Sequence, residues 1–85
     1  VVYFHGGGWV LGSLDDYETL ARKLAERTSC AVVLAAYRLA PEHRYPTAVE
    51  DSDCALAWVT GHLTDIAGNE DVPLIIAGDS AGGNL

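Results

Sequence analysis

Apolar residues in this chain fall into three continuous runs separated by two stretches of helical period. The runs are Val1 to Phe4, Ala31 to Tyr37 and Pro73 to Ala77. All three are short, lean on β-branched or aromatic side chains and lack polar alternation, which predicts strands buried on both faces of a parallel sheet. Between the first two runs, Tyr17, Leu20, Ala21, Leu24 and Ala25 recur on one helical stripe, with Glu18, Arg22, Lys23, Glu26 and Arg27 opposite. Ser13 stands before this stripe as N-cap, and Asp16 completes a capping box. Asp15 and Asp16 suit the first turn, and Glu18 to Arg22 is a favourable i,i+4 pair. A second helix is predicted from Thr47 to about Leu63, with Ala48, Ser52, Ala55, Leu56, Val59 and Leu63 on its apolar stripe. Arg38 to Pro46 reads as an ordered loop bounded by prolines, in which Arg38 can pair with Glu42 or with Asp51. Thr64 to Val72 reads as a polar connection turning at Gly68-Asn69. Strand and helix thus alternate, which predicts an α/β fold: a mostly parallel sheet flanked by helices.

Composition narrows the function. With 49% hydrophobic and 20% charged residues the chain is globular in type. A net charge of −7, with five lysines and arginines and no basic patch, argues against nucleic acid as a partner. Uncharged runs such as Thr28 to Tyr37 are too short to span a bilayer, so no stable membrane insertion is expected. Cys30 and Cys54 have no recognisable pairing and read as buried free thiols of a reducing compartment. With no charged-then-apolar leader in these residues, a cytoplasmic location is expected. The chain opens at Val1 directly in an apolar run and stops just past a helix start. It is therefore expected to be part of a larger domain, truncated at both ends.

Two glycine-rich stretches carry the chemistry, and each follows a predicted strand. Gly78-Asp79-Ser80-Ala81-Gly82 is a G-x-S-x-G pattern, which marks a sharp strand-to-helix turn with the serine at its apex. Gly78 and Gly82 stand where a Cβ would collide with the neighbouring strand or helix. The helix opening after Ser80 would favour negative charge beside the serine. His5-Gly6-Gly7-Gly8-Trp9 follows the first strand. A phosphate cradle is excluded there: no G-x-G-x-x-G fits Gly6, Gly7, Gly8 and Gly12, and no G-K-[ST] follows. An oxyanion hole remains. Successive glycines let backbone N–H groups approach a developing negative charge without side chains in the way, and each such donor lowers the barrier by about 3 kcal/mol. An HGGG-type loop with the N–H of the residue after the serine, here Ala81, completes that arrangement.

Three motifs in this order, YFHGGGW (Tyr3 to Trp9), YRLAPEHRYPTAVED (Tyr37 to Asp51) and GDSAGGNL (Gly78 to Leu85), resemble the hormone-sensitive-lipase-like esterases of the α/β-hydrolase superfamily. The resemblance covers essentially the whole chain. It implies the α/β-hydrolase fold and a carboxylic ester hydrolase for short- to medium-chain acyl esters, working through an acyl-enzyme without metal or cofactor. By position it implies Ser80 as nucleophile, Gly7, Gly8 and Ala81 as oxyanion donors, and His5 and Gly6 as loop support. Trp9 would line the acyl or alcohol pocket or pack over the loop. The chain departs from the family at Arg44-Tyr45-Pro46-Thr47, which concerns loop packing. Residues 1–85 would form the N-terminal part of a single catalytic domain, from oxyanion loop to nucleophile elbow.

His5, His43 and His62 all precede Ser80, whereas this superfamily orders its triad Ser, acid, His. None is therefore expected as the base, and the 85 residues by themselves are expected to be inactive. His5 is expected to brace the oxyanion loop and His62 to suit a helix end. Asp79 is expected to make structural hydrogen bonds, and Trp58 to pack in the core or along its helix. A different class of function is a non-catalytic ligand-binding receptor on the same fold, as plant gibberellin receptors resemble this family and lack the base.

Overall fold

The computed structural model describes residues 1–85. Strand β1 (Val2–Phe4) is central, β2 (Val33–Ala35) and β3 (Ile76–Gly78) pair on either side of it, and all three run parallel. Val2, Tyr3 and Phe4 are buried, as the unbroken apolar run required of a strand covered on both faces. Phe4 lies in register with Ala35 on one side and Gly78 on the other, so the segments leaving β1 and β3 start level.

Helix α1 (Leu14–Thr28) begins as its sequence dictates. The Ser13 side chain accepts from the Asp16 N–H, and the Asp16 carboxylate accepts from the Ser13 N–H at 3.1 Å. Arg22 grips Glu18 one turn back at 2.7 Å on the exposed face. Tyr17, Ala21, Leu24 and Ala25 are half-buried while Leu20 is exposed; α1 packs mainly along β2, and its Tyr17 ring reaches Tyr3 and His5.

Helix α2 (Thr47–Gly61) seats Ala48, Ser52 and Val59 against β1, and the buried Ser52 hydroxyl donates to the Ala48 carbonyl at 2.8 Å. The stripe stops short of the expected Leu63. The chain turns at His62, whose N–H reaches back to the Val59 carbonyl, and a short helix α3 (Leu63–Ala67) follows. Gly68 ends α3 in the left-handed conformation, at φ 77°. Part of the connection read as polar is thus helical, since Leu63 and Ile66 lean on the core.

Two further expectations are corrected. The third strand is displaced toward its C-terminus, to Ile76–Gly78; Leu74, Ile75 and Ile76 are exposed in these 85 residues, which hold a neighbour for β3 on one side. Of the two places open to Trp58, it takes the one along its helix: it is exposed and stacks on His62, with ring centroids 4.1 Å apart. Both cysteines are free, yet Cys54 is exposed and Cys30 only half-buried. No helix is long and apolar enough to cross a membrane.

The α1 cap satisfies backbone donors that no residue inside the helix can. Ser13→Ala is expected to cost about 1 kcal/mol. The check is a lower urea midpoint at unchanged slope; an unchanged midpoint would mean that the cap contributes nothing.

Candidate active site

The two glycine-rich stretches emerge side by side from the C-terminal ends of β1 and β3, the edge of a parallel sheet where ligands bind. After β3 the chain turns through Asp79 and Ser80 into the short helix α4 (Ala81–Asn84). Ser80 sits at the apex with φ 49° and ψ −117°, a conformation that non-glycine residues rarely adopt. The Gly82 and Gly83 N–H groups both turn back to the Asp79 carbonyl, at 2.8 and 3.3 Å, and this closes the turn.

The flanking glycines are dictated by contact. A Cβ on Gly82 would fall inside 3.0 Å of the Phe4 and His5 carbonyl oxygens, and one on Gly78 would lie 2.6 Å from the Gly82 carbonyl carbon. Backbone therefore packs on backbone where α4 crosses the end of β1. The expectation that Gly78 and Gly82 stand where no side chain fits is borne out.

The loop after β1 holds a series of left-handed residues: Gly7 at φ 126°, Gly8 at 65°, Trp9 at 63° and Gly12 at 107°. Its first turn closes on the Gly7 carbonyl, which accepts from Val10 and Leu11 at 3.1 and 2.9 Å. Backbone N–H groups of Gly7, Gly8 and Ala81 donate to no acceptor in the chain. These are the three groups singled out in the sequence as oxyanion donors.

His5 is fully buried at the root of the loop. Its ring stacks on Tyr37 with centroids 4.6 Å apart, Nδ1 lies 2.6 Å from the Gly6 carbonyl, and the Tyr37 hydroxyl donates to the His5 carbonyl. Gly12 faces the same ring, so a side chain there would strike it. Asp79 joins the two stretches. Its Oδ1 accepts from the Tyr3 hydroxyl at 2.7 Å and from the Gly6 N–H at 3.0 Å, and Oδ2 accepts from the Tyr17 hydroxyl at 3.3 Å. The expected hydrogen-bonding role of Asp79 is present, and its two tyrosine partners come from positions whose sequence pattern marks only apolar strand and helix.

The Trp9 carbonyl accepts from the Ala40 N–H at 2.8 Å, which ties the glycine loop to the Arg38–Pro46 loop. Of the two pairings open to Arg38, the one with Asp51 forms, at 2.8 Å between Nη2 and Oδ1. Gly8 and Trp9 line a cavity of about 400 Å³ with His43, Tyr45, Ala48 and Leu85, and its walls are mainly apolar. His43 borders that cavity, and His62 is spent on the Trp58 carbonyl, with Nδ1 at 2.6 Å.

The Tyr3 hydroxyl bond, opposed by burial and reinforced by the Gly6 N–H and Tyr17, holds the Asp79 carboxyl below the usual carboxylate range. Burial first, then the bond to Asp79 and its charge, push Tyr3 from 10.0 up to about 12. A raised tyrosine value means the folded state holds its proton more tightly. That stability is complete below pH 10.0 and is lost as pH rises toward about 12. Over this window the urea midpoint is expected to fall more steeply in the wild type than in Tyr3→Phe. Equal slopes would count against the Tyr3–Asp79 bond. Independently, Gly82→Ala is expected to cost about 3 kcal/mol or more, since backbone must yield on both sides of the contact. A thermal midpoint within a degree or so of wild type would contradict that packing.

Comparison with known proteins gives one answer throughout. The family described as alpha/beta hydrolase fold matches residues 1–85. Carboxylesterase NlhH of Mycobacterium tuberculosis is 48% identical over 85 residues, covering 100% of this chain and 26% of that protein. An ethyl acetate hydrolase of Pseudomonas putida is 41% identical over the same length, 26% of its own. A hyperthermophilic esterase from Pyrobaculum calidifontis superposes with a TM-score of 0.91 at 47% identity, over 98% of this chain and 27% of that one. The chain thus spans about a quarter of the length of the relatives it matches. With its strand order, its glycine loop and its serine turn, the chain belongs to the alpha/beta hydrolase fold family, in the hormone-sensitive-lipase-like branch.

Proposed function

We propose that the complete protein is a serine carboxylic ester hydrolase acting on short- to medium-chain acyl esters. The observation that carries this reading is the strained Ser80 at the apex of a strand-to-helix turn, set beside a glycine loop whose Gly7 and Gly8 N–H groups are unpaired. Esterase names among the relatives support it.

In this reading the Ser80 hydroxyl oxygen attacks the ester carbonyl carbon and gives its proton to a histidine base. The carbonyl oxygen takes the negative charge and is held by the N–H groups of Gly7, Gly8 and Ala81, each worth about 3 kcal/mol. The carbon–oxygen bond to the alcohol then breaks, the alcohol leaves with the base's proton, and water releases the acid by the same steps. His5 and Gly6 hold the loop, while Trp9 and the cavity beside Gly8 receive an apolar part of the ester. Neither an acid nor a histidine follows Ser80 within these 85 residues. The triad acid and base are assigned to sequence outside them, with residues 1–85 as the N-terminal part of the catalytic domain. A cytoplasmic location accords with two free thiols, one of them exposed.

The test is hydrolysis of p-nitrophenyl esters of increasing chain length by the complete protein, with Ser80→Ala alongside. Turnover of short chains that falls at least about 10⁴-fold in Ser80→Ala supports the reading. A folded wild type that binds but hydrolyses no ester would replace it with a ligand-binding protein on this fold.

A further inference from the structure

We propose that Asp79 is the positioning residue of the oxyanion hole: a carboxylate clasp that sets the glycine loop in register with the serine turn. The inference rests on the ester-hydrolase reading and deepens it.

The donors assigned to the oxyanion come from two separate pieces of chain. Gly7 and Gly8 lie on the loop after β1, and Ala81 lies on the turn after β3. Three N–H groups lower a barrier only if they converge on one oxygen before it becomes charged. The loop cannot supply that order itself, because its glycines are the residues with most backbone freedom to lose. Its other ties lead elsewhere: the Trp9 carbonyl to Ala40, and the His5 root to Tyr37. A single side-chain bond links loop directly to turn, from the Gly6 N–H to Asp79 Oδ1 at 3.0 Å. Gly6 is the neighbour of Gly7, and Asp79 stands two residues before Ala81, so this bond fixes one half of the donor set against the other.

The clasp is itself held rigid. Tyr3 from β1 and Tyr17 from α1 orient the two carboxylate oxygens from separate elements. There is no slack on the loop side either, since a Cβ on Gly6 would meet the Asp79 carboxylate inside 3.0 Å. A carboxylate beside a developing oxyanion is an electrostatic liability. Its bonds to three donors stabilise the charge where it stands and direct both oxygens to tethering. Asp79→Asn separates the two properties: it keeps an oxygen for Tyr3 and Gly6 and discards the charge, whereas Asp79→Ala discards both.

The experiment compares wild type, Asp79→Ala and Asp79→Asn in the complete protein, with active sites counted by fluorophosphonate end point and p-nitrophenyl butyrate as substrate. Per titrated site, Asp79→Ala is expected to lose about 10²-fold in kcat, with KM moved less than about threefold. Asp79→Asn is expected to stay within about tenfold of wild type. Amide exchange of Gly6 is expected to quicken about tenfold or more in Asp79→Ala and to stay near wild type in Asp79→Asn. A merely structural residue would lower the number of titrated sites and leave kcat per site unchanged, and that result overturns the proposal. So does an Asn variant as slow as the Ala variant. If Asp79→Ala does not fold, Asp79→Ser, whose hydroxyl still meets a tyrosine but cannot hold three donors, carries the same expected loss. A wild type that hydrolyses no ester would sink the esterase reading. The exchange then judges the clasp alone, and equal Gly6 exchange in wild type and Asp79→Ala overturns it.

Discussion

Everything at the candidate site depends on one backbone contact, the crossing of Gly82 over the carbonyls of Phe4 and His5. Main chain meets main chain there without a Cβ between. The first turn of α4 therefore lies directly on the end of the central strand, and the residues joining β3 to α4 have almost no length in which to reverse. Ser80 absorbs that reversal at φ 49°. The cost, of order 1–3 kcal/mol for such a conformation, is sustained because strand and helix on either side leave no alternative. The same crossing sets β3 level with β1, which brings the two glycine-rich stretches to one edge of the sheet.

Around that contact the glycine loop is held from three directions by different kinds of interaction. At its root, His5 is buried between the Tyr37 and Tyr17 rings, so its position is fixed by packing. On one flank Asp79 reaches across from the turn, and on the other Ala40 hydrogen-bonds to Trp9. Ala40 is steadied in turn by Arg38, two residues earlier, through its fork on Asp51 of α2. Arg38 is more than half exposed, so the pair adds little to global stability. Its effect is local: the Arg38 N–H also donates to Asp51 at 2.8 Å, and the start of the loop is tied to a rigid helix. Weak surface bonds suffice here because they need only choose among conformations of a short, already tethered segment.

What could be read in the sequence was whatever a local rule determines. The Ser13–Asp16 cap, the Glu18–Arg22 pair and the buried β1 run follow from neighbours within a turn or along one strand. The glycines around Ser80 were equally legible, because only a sharp turn makes G-x-S-x-G necessary. What escaped depended on partners remote in sequence. A run such as Pro73 to Ala77 suits a strand along its whole length, but β3 begins only at Ile76, where pairing with Val2 starts. The α2 stripe continues through Leu63 in period, yet the chain breaks at Gly61 and His62, where His62 turns onto the Trp58 carbonyl and takes the Trp58 ring with it. Tyr3 and Tyr17 were counted as apolar because their rings are; their hydroxyls meet Asp79 from 76 and 62 residues away. Two tyrosines ahead of a G-D-S turn were the available signal.

These differences share a direction that bears on the proposed reaction. The contacts hidden from the sequence lie mostly around the loop and the turn, and they concern position rather than chemical identity. Serine, glycines and the N–H after the serine are named by motif; the loop that carries two of those N–H groups is held from outside by Asp79, His5, Tyr37 and Ala40. Electrostatic stabilisation of an oxyanion requires donors in place before charge appears, because reorganising them during the reaction would consume the energy they supply. Residues 1–85 hold the donors and the attacking oxygen of the proposed reaction. In the proposed ester hydrolysis the stabilising half of the site is built into this sheet edge by backbone packing, and proton transfer from the serine is a different task. A substitution among the loop's supports would weaken transition-state binding without touching the proton transfer, so the two halves can vary independently on one scaffold.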